Sequence, residues 1–309
     1  MSSRRTIPPW LLVLTLTAAA CTTQPTRGPV QVAASPNQPA TTPAAAETPL
    51  PNKPDTLKFA VLGDFGTGSR GQVETGAEMA RVHKRFPFEF VITVGDNIYG
   101  SESSQDFVRK FEAPYKGLLD ANVKFYASLG NHDAPKQQIN YKLFNMDGKT
   151  YYTMHPSKES AKFFALDTTY LNPEQVQWIE KELEASRENW KIPYFHHPPY
   201  SSGERHGSQE SIRKALEPLF LKYNVSVVFA GHDHFYERTK PQQGIVYFVV
   251  GSGGQLRRGN IAARSALTEK GFDTDYAFLV AEIDGDDMYF NAISRTGAVI
   301  DSGKITRRK

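Results

Sequence analysis

Short apolar runs and longer amphipathic stretches alternate along most of the chain. The runs "LKFAVLG", "FEFVITVG", "VKFYASLG", "AKFFALD", "IPYF" and "VSVVFAG" are rich in Val, Ile and Phe and predict buried strands. Between them, "GQVETGAEMARVHKRF", "PEQVQWIEKELEASRENW" and "SQESIRKALEPLFLKY" have helical spacing. In the second of these, Val176, Ile179 and Leu183 follow the helical period, Pro173 suits the first helical position and Asn172 suits the cap. Strand–helix alternation predicts α/β layering. From Gly244 the pattern changes to mostly strands, in "GIVYFVVGSGG", "DYAFLVAEIDGDDMYFNAIS" and "AVIDSGKI". The Asp-Gly and Gly turns there predict hairpins, so at least one sheet is mixed or carries an antiparallel portion.

The N-terminus breaks this pattern. Arg4 and Arg5 precede the apolar run "WLLVLTLTAAA", which ends at Cys21, the single cysteine of the chain. The run is shorter than the roughly 20 residues that span a bilayer, and a basic start, short apolar core and small residues make an export signal over residues 1–20. The "AAAC" ending resembles the cleavage and lipidation site of bacterial lipoproteins, with Cys21 as the acylated residue that holds the protein to the membrane. Residues 21–54 are rich in Pro, Ala, Thr and Gln and read as an extended tether. The folded domain is expected over residues 55–309. The exported protein would sit in the cell envelope, in the periplasm or on the outer surface.

Composition changes the picture little. Hydrophobic residues make up 39% and aromatic residues 12%, enough for a substantial core and too many for a mainly disordered chain. The 36 Lys+Arg against 33 Asp+Glu are too even to point to nucleic acid, and no basic stripe interleaved with aromatics occurs. A small-molecule partner and a monomeric state are expected.

The chemistry lies in the polar residues just beyond each apolar run. Asp64 ends the first, Asp96 the second with Tyr99 just beyond, and Asn131, His132 and Asp133 the third. His196 and His197 come after "IPYF", and His232 and His234 after "VSVVFAG". In an α/β sheet the C-terminal strand ends share one edge, where ligands bind. Five of the eight histidines fall at these ends; His83 and His155 lie elsewhere and read as structural or surface. The donors are oxygen and imidazole without thiolate, which suits zinc, manganese or iron, and they exceed one metal's usual needs. A two-metal site is therefore expected. "GSGG" at Gly251–Gly254 lacks the lysine of a phosphate loop and reads as a tight turn beside the site.

Together "GDFG", "GDNIY", "GNHD", a histidine of "FHHPPYSS" and "GHDH" resemble the calcineurin-like metallophosphoesterases across nearly all of residues 55–309. Gly66 stands where most of that superfamily has a metal-binding histidine, and Tyr99 comes three residues after the second aspartate. This exchange resembles the purple acid phosphatases, in their small form. The resemblance implies a mixed α/β, four-layer αββα sandwich. It implies Asp64, Asp96, Tyr99 and His234 on one metal, and Asn131, His196, His232 and the shared Asp96 on a second. His196 is taken over His197 because Pro198, Tyr200 and Ser201 then match the family's spacing, leaving His197 to face the ligands or the substrate.

A tyrosine, with an ordinary pKa of about 10, binds as tyrosinate only to a strongly Lewis-acidic ion, so Fe(III) is expected beside Tyr99 and Zn, Mn or Fe(II) in the second position. With Asp64, Asp96 and Tyr99 as the anions, such a pair keeps a positive surplus that favours a phosphate oxyanion. The expected reaction is phosphomonoester hydrolysis by hydroxide held on the metals, as an acid phosphatase. His132, oriented by Asp133, and His206 are the candidates to supply the leaving-group proton, with Arg205 either meeting the phosphate or solvated. Alternatives on the same residues are a phosphodiesterase or nucleotide pyrophosphohydrolase. An alternative of another class is a non-catalytic envelope lipoprotein that binds phosphate or a partner.

Overall fold

The apolar runs fold into two sheets whose parallel cores are buried on both faces, which is why they read as continuous rather than alternating hydrophobic sequence. The computed structural model describes residues 47–309; the expected signal, Cys21 and most of the tether lie outside the described residues. The first sheet has β1 (Leu57–Leu62), β2 (Phe90–Val94) and β3 (Lys124–Ser128) in parallel. Beside β1 the antiparallel strands β11 (Ala277–Asp284), β12 (Asp287–Ser294) and β13 (Val299–Thr306) complete the order β13-β12-β11-β1-β2-β3. The second sheet runs β10-β8-β9-β7-β6-β5-β4. Its parallel core is β5 (Ala161–Ala165), β6 (Trp190–Tyr194), β7 (Val227–Ala230) and β9 (Val246–Val250). The flanking strands β4 (Tyr152–Met154), β8 (Tyr236–Thr239) and β10 (Thr268–Phe272) are antiparallel. Of the strands expected after Gly244, β11, β12 and β13 are the antiparallel part of the first sheet, whereas β9 joins the parallel core of the second.

Among the described residues, six α-helices accompany the sheets: α1 (Arg70–Arg85), α2 (Ser104–Phe107), α3 (Lys116–Leu119), α4 (Pro135–Gln138), α5 (Pro173–Ala185) and α6 (Glu210–Lys222). Asn172 caps α5 as expected, its Oδ1 accepting from the Gln175 amide at 2.9 Å, with Pro173 in the first turn. That helix ends at Ala185, sooner than the sequence pattern suggested, because Trp190 is already the first residue of β6 and is buried there.

Aromatic side chains join the sheets. The Phe59 ring of β1 lies 5.1 Å from Phe163 of β5 and 6.1 Å from Phe229 of β7, both edge to face. Phe248 of β9 and Phe290 of β12 repeat this contact at 5.1 Å. A smaller apolar cluster, including Ile179, Leu183, Leu216 and Phe220, packs α5 and α6 on the outer face of the second sheet. Helix–sheet–sheet–helix layering is therefore the observed architecture.

The tether boundary differs from the expectation. Thr48, Asn52 and Lys53 donate backbone N–H groups to Ser302 and to the buried Glu282 carboxylate, so the chain is docked on β11 and β13 before Asp55. Polar, Pro-rich sequence hid this because the contacts are backbone donors, not side-chain pattern.

Phe59→Ala removes the ring on which both sheets converge. It is expected to cost about 3–5 kcal/mol of unfolding free energy by chemical denaturation; a loss under about 1 kcal/mol would mean that the sheets do not depend on this contact.

Candidate metal centre

The parallel strands of both sheets point their C-terminal ends at one edge, and the turns that leave them are unusual. Asp64, Asp96 and His232, the residues just after β1, β2 and β7 and their glycines, have φ values of +54°, +50° and +70°. Non-glycine residues in the left-handed region cost about 1 kcal/mol or more each and collect at functional sites. These turns are locked together. The His232 amide donates to Asp64 Oδ2 at 3.0 Å, and the His132 amide donates to Asp96 Oδ1 at 3.0 Å.

Two donor groups result. Asp64, Asp96 and His234 bring one donor atom each within 4.8 Å of one another, as do His196, His197 and His232. The Tyr99 hydroxyl sits 3.3 Å from Asp64 Oδ1 and 3.3 Å from His234 Nε2, which places it in the first group. His196 Nε2 lies 3.0 Å from Asn131 Oδ1, 3.1 Å from His232 Nδ1 and 3.4 Å from Asp96 Oδ1, so Asp96 adjoins both groups. His196 Nδ1 is 2.9 Å from the Val94 carbonyl, which can only accept; the ring proton is therefore on Nδ1. Nε2 and Asn131 Oδ1 then face each other as two lone pairs, an arrangement that a cation between them would satisfy.

The electrostatics point the same way. Asp64 and Asp96 are buried, and no lysine or arginine among the described residues pairs with either. Burial, with Asp96 adding to it, pushes the Asp64 carboxyl well above the usual range. Burial and then Asp96 lift Asp133 to about 8. Burial, then Asp64 and Asp96, also drive the Tyr99 phenol far above its ordinary value, so an anionic phenolate here requires positive charge beside it. Burial, then His196, lowers His232 to about 2 and His197 to about 3, keeping both imidazoles neutral and free to donate lone pairs. Unpaired buried carboxylates beside neutral imidazoles fit a site for two cations.

Gly66 stands where this turn leaves no room for a side chain. A Cβ at Gly66 would overlap the Asn97 carbonyl, and Gly66 O accepts the Tyr99 amide at 2.9 Å. The space for a side chain on this turn is filled by the turn that delivers Tyr99. Lys110, buried, holds that turn from behind, donating to Tyr99 O and Ser101 O at 2.7 Å each. Asp106, 3.1 Å from Lys110 Nζ, accepts from Ser101 and Ser103 hydroxyls at 2.7 Å and from Arg109 at 2.9 Å.

The remaining expected residues divide. His132 and His206 are exposed at the rim, the first with its ring 5.0 Å from Tyr99 and the second with its ring 4.2 Å from His232. Asp133 does not orient His132. Its carboxylate faces inward and accepts from Ile98 N, Gln138 Nε2, Gly130 N and Asn97 Nδ2 at 2.7–3.0 Å, joining the turns after β2 and β3. His197 has its Nδ1 3.0 Å from Thr168 Oγ1 and its ring 4.6 Å from His232. Burial first, and then among other charges Arg205 and Arg257, lower His206; both guanidiniums also bear on His234.

Sequence reasoning left Asp233 without a role. It is fully buried, and its Oδ2 accepts from Ser201 Oγ at 2.5 Å and Gly207 N at 3.1 Å. A Cβ at Gly203 would stand 2.5 Å from the carboxylate, so residues 201–207, which carry His206, wrap closely around it. Its position inside "GHDH" was the available signal; the wrapping loop was not readable from spacing.

Ser103, Ser101 and Arg109, in that order, hold the Asp106 carboxyl below the ordinary range. A depressed folded pKa stabilises above the unfolded value of about 3.9 and loses that effect as pH falls below it. Asp106→Asn is therefore expected to lower the melting temperature at pH 6, with the difference from the parent closing as pH drops below about 4. A difference that stays constant down to pH 3 would show that the charge is not what matters.

The sequence pattern described as calcineurin-like phosphoesterase matches residues 57–236. Tartrate-resistant acid phosphatase type 5 of Oryctolagus cuniculus is 28% identical over 238 residues, which is 64% of this chain and 73% of that protein. Among solved structures, the fold is similar to that of GAP50, the anchor in the inner membrane complex of Plasmodium (TM-score 0.72, 21% identity, 82% of this chain and 90% of that one). It is also similar to a purple acid phosphatase from yellow lupin (Lupinus luteus) seeds (TM-score 0.68, 20% identity, 84% of this chain and 55% of that one). With a match over more than half its length that takes in every donor of the site, the chain belongs to the calcineurin-like phosphoesterase family.

Proposed function

We propose that the protein hydrolyses phosphomonoesters, with Asp64, Asp96, Tyr99 and His234 holding Fe(III), and Asn131, His196, His232 and the shared Asp96 holding Zn, Mn or Fe(II). The observation that carries this reading is the Tyr99 hydroxyl, 3.3 Å from both Asp64 Oδ1 and His234 Nε2. The acid phosphatases among the relatives support the monoester class. When bound, two such cations draw electron density from phosphoryl oxygens and acidify water at the site.

The chain's own residues do the rest. The Val94 carbonyl fixes the tautomer of His196, and the amides of His232 and His132 fix the rotamers of Asp64 and Asp96. Asp133 holds the turns after β2 and β3 in register, a positioning role. His132 and His206 flank the centre from opposite turns. Their N–H groups hold the phosphoryl oxygens, and a protonated imidazole there donates to the departing ester oxygen. Burial holds His206 below its ordinary value, so that donor takes up its charge at lower pH than a free imidazole does.

We further infer that residues 1–20 direct export and that Cys21 carries the lipid holding the enzyme to the envelope; "WLLVLTLTAAAC" supports this. No helix among the described residues is long and apolar enough to cross a membrane.

The purified, metal-loaded protein is expected to show a visible tyrosinate–Fe(III) band that disappears in Tyr99→Phe, and to cleave p-nitrophenyl phosphate at least about tenfold faster than its bis-ester. A colourless, fully active protein holding only Zn or Mn would remove the iron assignment, and faster diester cleavage would remove the monoester one. In cells, Cys21→Ser is expected to abolish fatty-acid labelling and move the protein from the membrane to the soluble fraction. Unchanged partitioning would rule out the anchor.

A further inference from the structure

The loop that carries His206 is fixed from beneath by two buried carboxylates. Glu237, on β8, is fully buried and accepts from Ser202 N at 2.9 Å, Ser202 Oγ at 2.6 Å and Thr268 Oγ1 at 2.5 Å. Asp233 takes both ends of the same loop, accepting from Ser201 Oγ at 2.5 Å and Gly207 N at 3.1 Å. No lysine or arginine among the described residues pairs with either acid. Arg238, beside Glu237 in sequence, turns instead to Asp301 at 2.8 Å.

Glu237 reaches a second loop as well. Thr268 opens β10, so the same carboxylate holds the far end of residues 255–267. The near end of that segment is tied to the backbone of the donors: Gln255 N donates to Asp64 O at 2.8 Å, and Arg257 N to His234 O at 2.9 Å. Between these ends the two loops are joined by Glu204 N to Asn260 O at 2.8 Å, Ala262 N to Ser202 O at 3.0 Å, and a β-bridge from Gly203 to Ile261.

His206 depends on this frame. Its side chain is exposed and makes no hydrogen bond among the described residues, and its ring stands 4.2 Å from that of His232. A side chain without a bond of its own is placed by its backbone, and a shift of about 1 Å in a reacting group costs about a hundredfold in rate. Buried charges without a counter-charge are a costly way to close loops that backbone bonds already join. What they add is a single geometry, because each displaced donor leaves a buried carboxylate short of a hydrogen bond.

We infer that Glu237 is a positioning residue for His206: through Ser202 and Thr268 it holds both loops in register and so keeps the His206 ring against the centre, with Asp233 as the second hold on the same loop. The inference rests on the hydrolase reading above and extends it to a carboxylate outside the donor set.

The kinetic test uses the metal-loaded, full-length protein and two substrates. The alkoxide leaving from glycerol 2-phosphate needs a proton, whereas p-nitrophenolate leaves without one. Glu237→Ala and His206→Ala are each expected to lower kcat about tenfold on glycerol 2-phosphate and less than about threefold on p-nitrophenyl phosphate, at unchanged metal content. The double variant should be no slower than His206→Ala, and Glu237→Gln should recover most of the loss, since its amide still offers an acceptor to Ser202 N. Equal losses on both substrates, no loss in either single variant, or losses that add in the double variant would overturn the inference. A second readout needs no turnover. In the zinc-loaded protein the nuclear Overhauser effect between the His206 and His232 rings should fall at least about threefold in Glu237→Ala, and in the milder Ser202→Ala should the first not fold. The Tyr99–His132 ring contact, 5.0 Å across on the other rim, should persist. An inactive protein that shows this selective loss would remove the hydrolase reading and leave the positioning; an unchanged His206–His232 signal would overturn the positioning on its own.

Discussion

The rest of the centre depends on the burial of Asp64 and Asp96 side by side without a basic partner. Isolated carboxylates in such a place would be protonated or would destabilise the fold. Here each is held by a backbone amide from another turn: Asp64 by His232, and Asp96 by His132. The first of these bonds crosses from one sheet to the other. Packing the sheets and shaping the donor set are therefore one problem, and inter-sheet contacts such as Phe59–Phe163 belong to the same packing. Neutral imidazoles complete the arrangement, since charged ones would compete with cations for the same carboxylates.

The glycine at position 66 and the tyrosine at position 99 share a steric basis that extends beyond one position. Gly66 lies under the Asn97 carbonyl, so the turn after β1 and the turn after β2 occupy each other's space. A side chain on the first requires the second to retreat, and the second is where Tyr99 starts. Lys110 and Asp106 fix the far side of that turn. The phenol reaches the carboxylate because its backbone has nowhere else to go.

Much of this was legible in the sequence. Apolar runs ending in Gly-Asp, Gly-Asn or Gly-His marked the strand ends, and Asn172-Pro173 marked a helix start. Those signals are local. What sequence did not show depends on approach through space. Asp133 is adjacent to His132 along the chain and so is placed to orient it, yet it turns inward to bind Gly130, Asn97, Ile98 and Gln138. Residues 48–53 read as tether because they lack apolar periodicity, but Glu282 collects amides from Asn52 and Lys53. The expected helix ran on through Trp190 because helical spacing carries no information about where the next strand must begin. Asp233 lay in view within "GHDH", but the loop that folds around it starts about thirty residues earlier in sequence.

The left-handed backbone of Asp64, Asp96 and His232 has an evolutionary consequence. These three residues are held in a conformation that glycine or asparagine would adopt at lower cost. As long as the donors are needed, selection opposes their replacement. Once they are not, substitutions at these same positions relieve backbone strain and remove buried charge together. The catalytic turns would then be among the first places where a descendant gains stability, so function and robustness trade against each other at the same three residues. In this chain all three keep that conformation, so the strain and the donors are retained together.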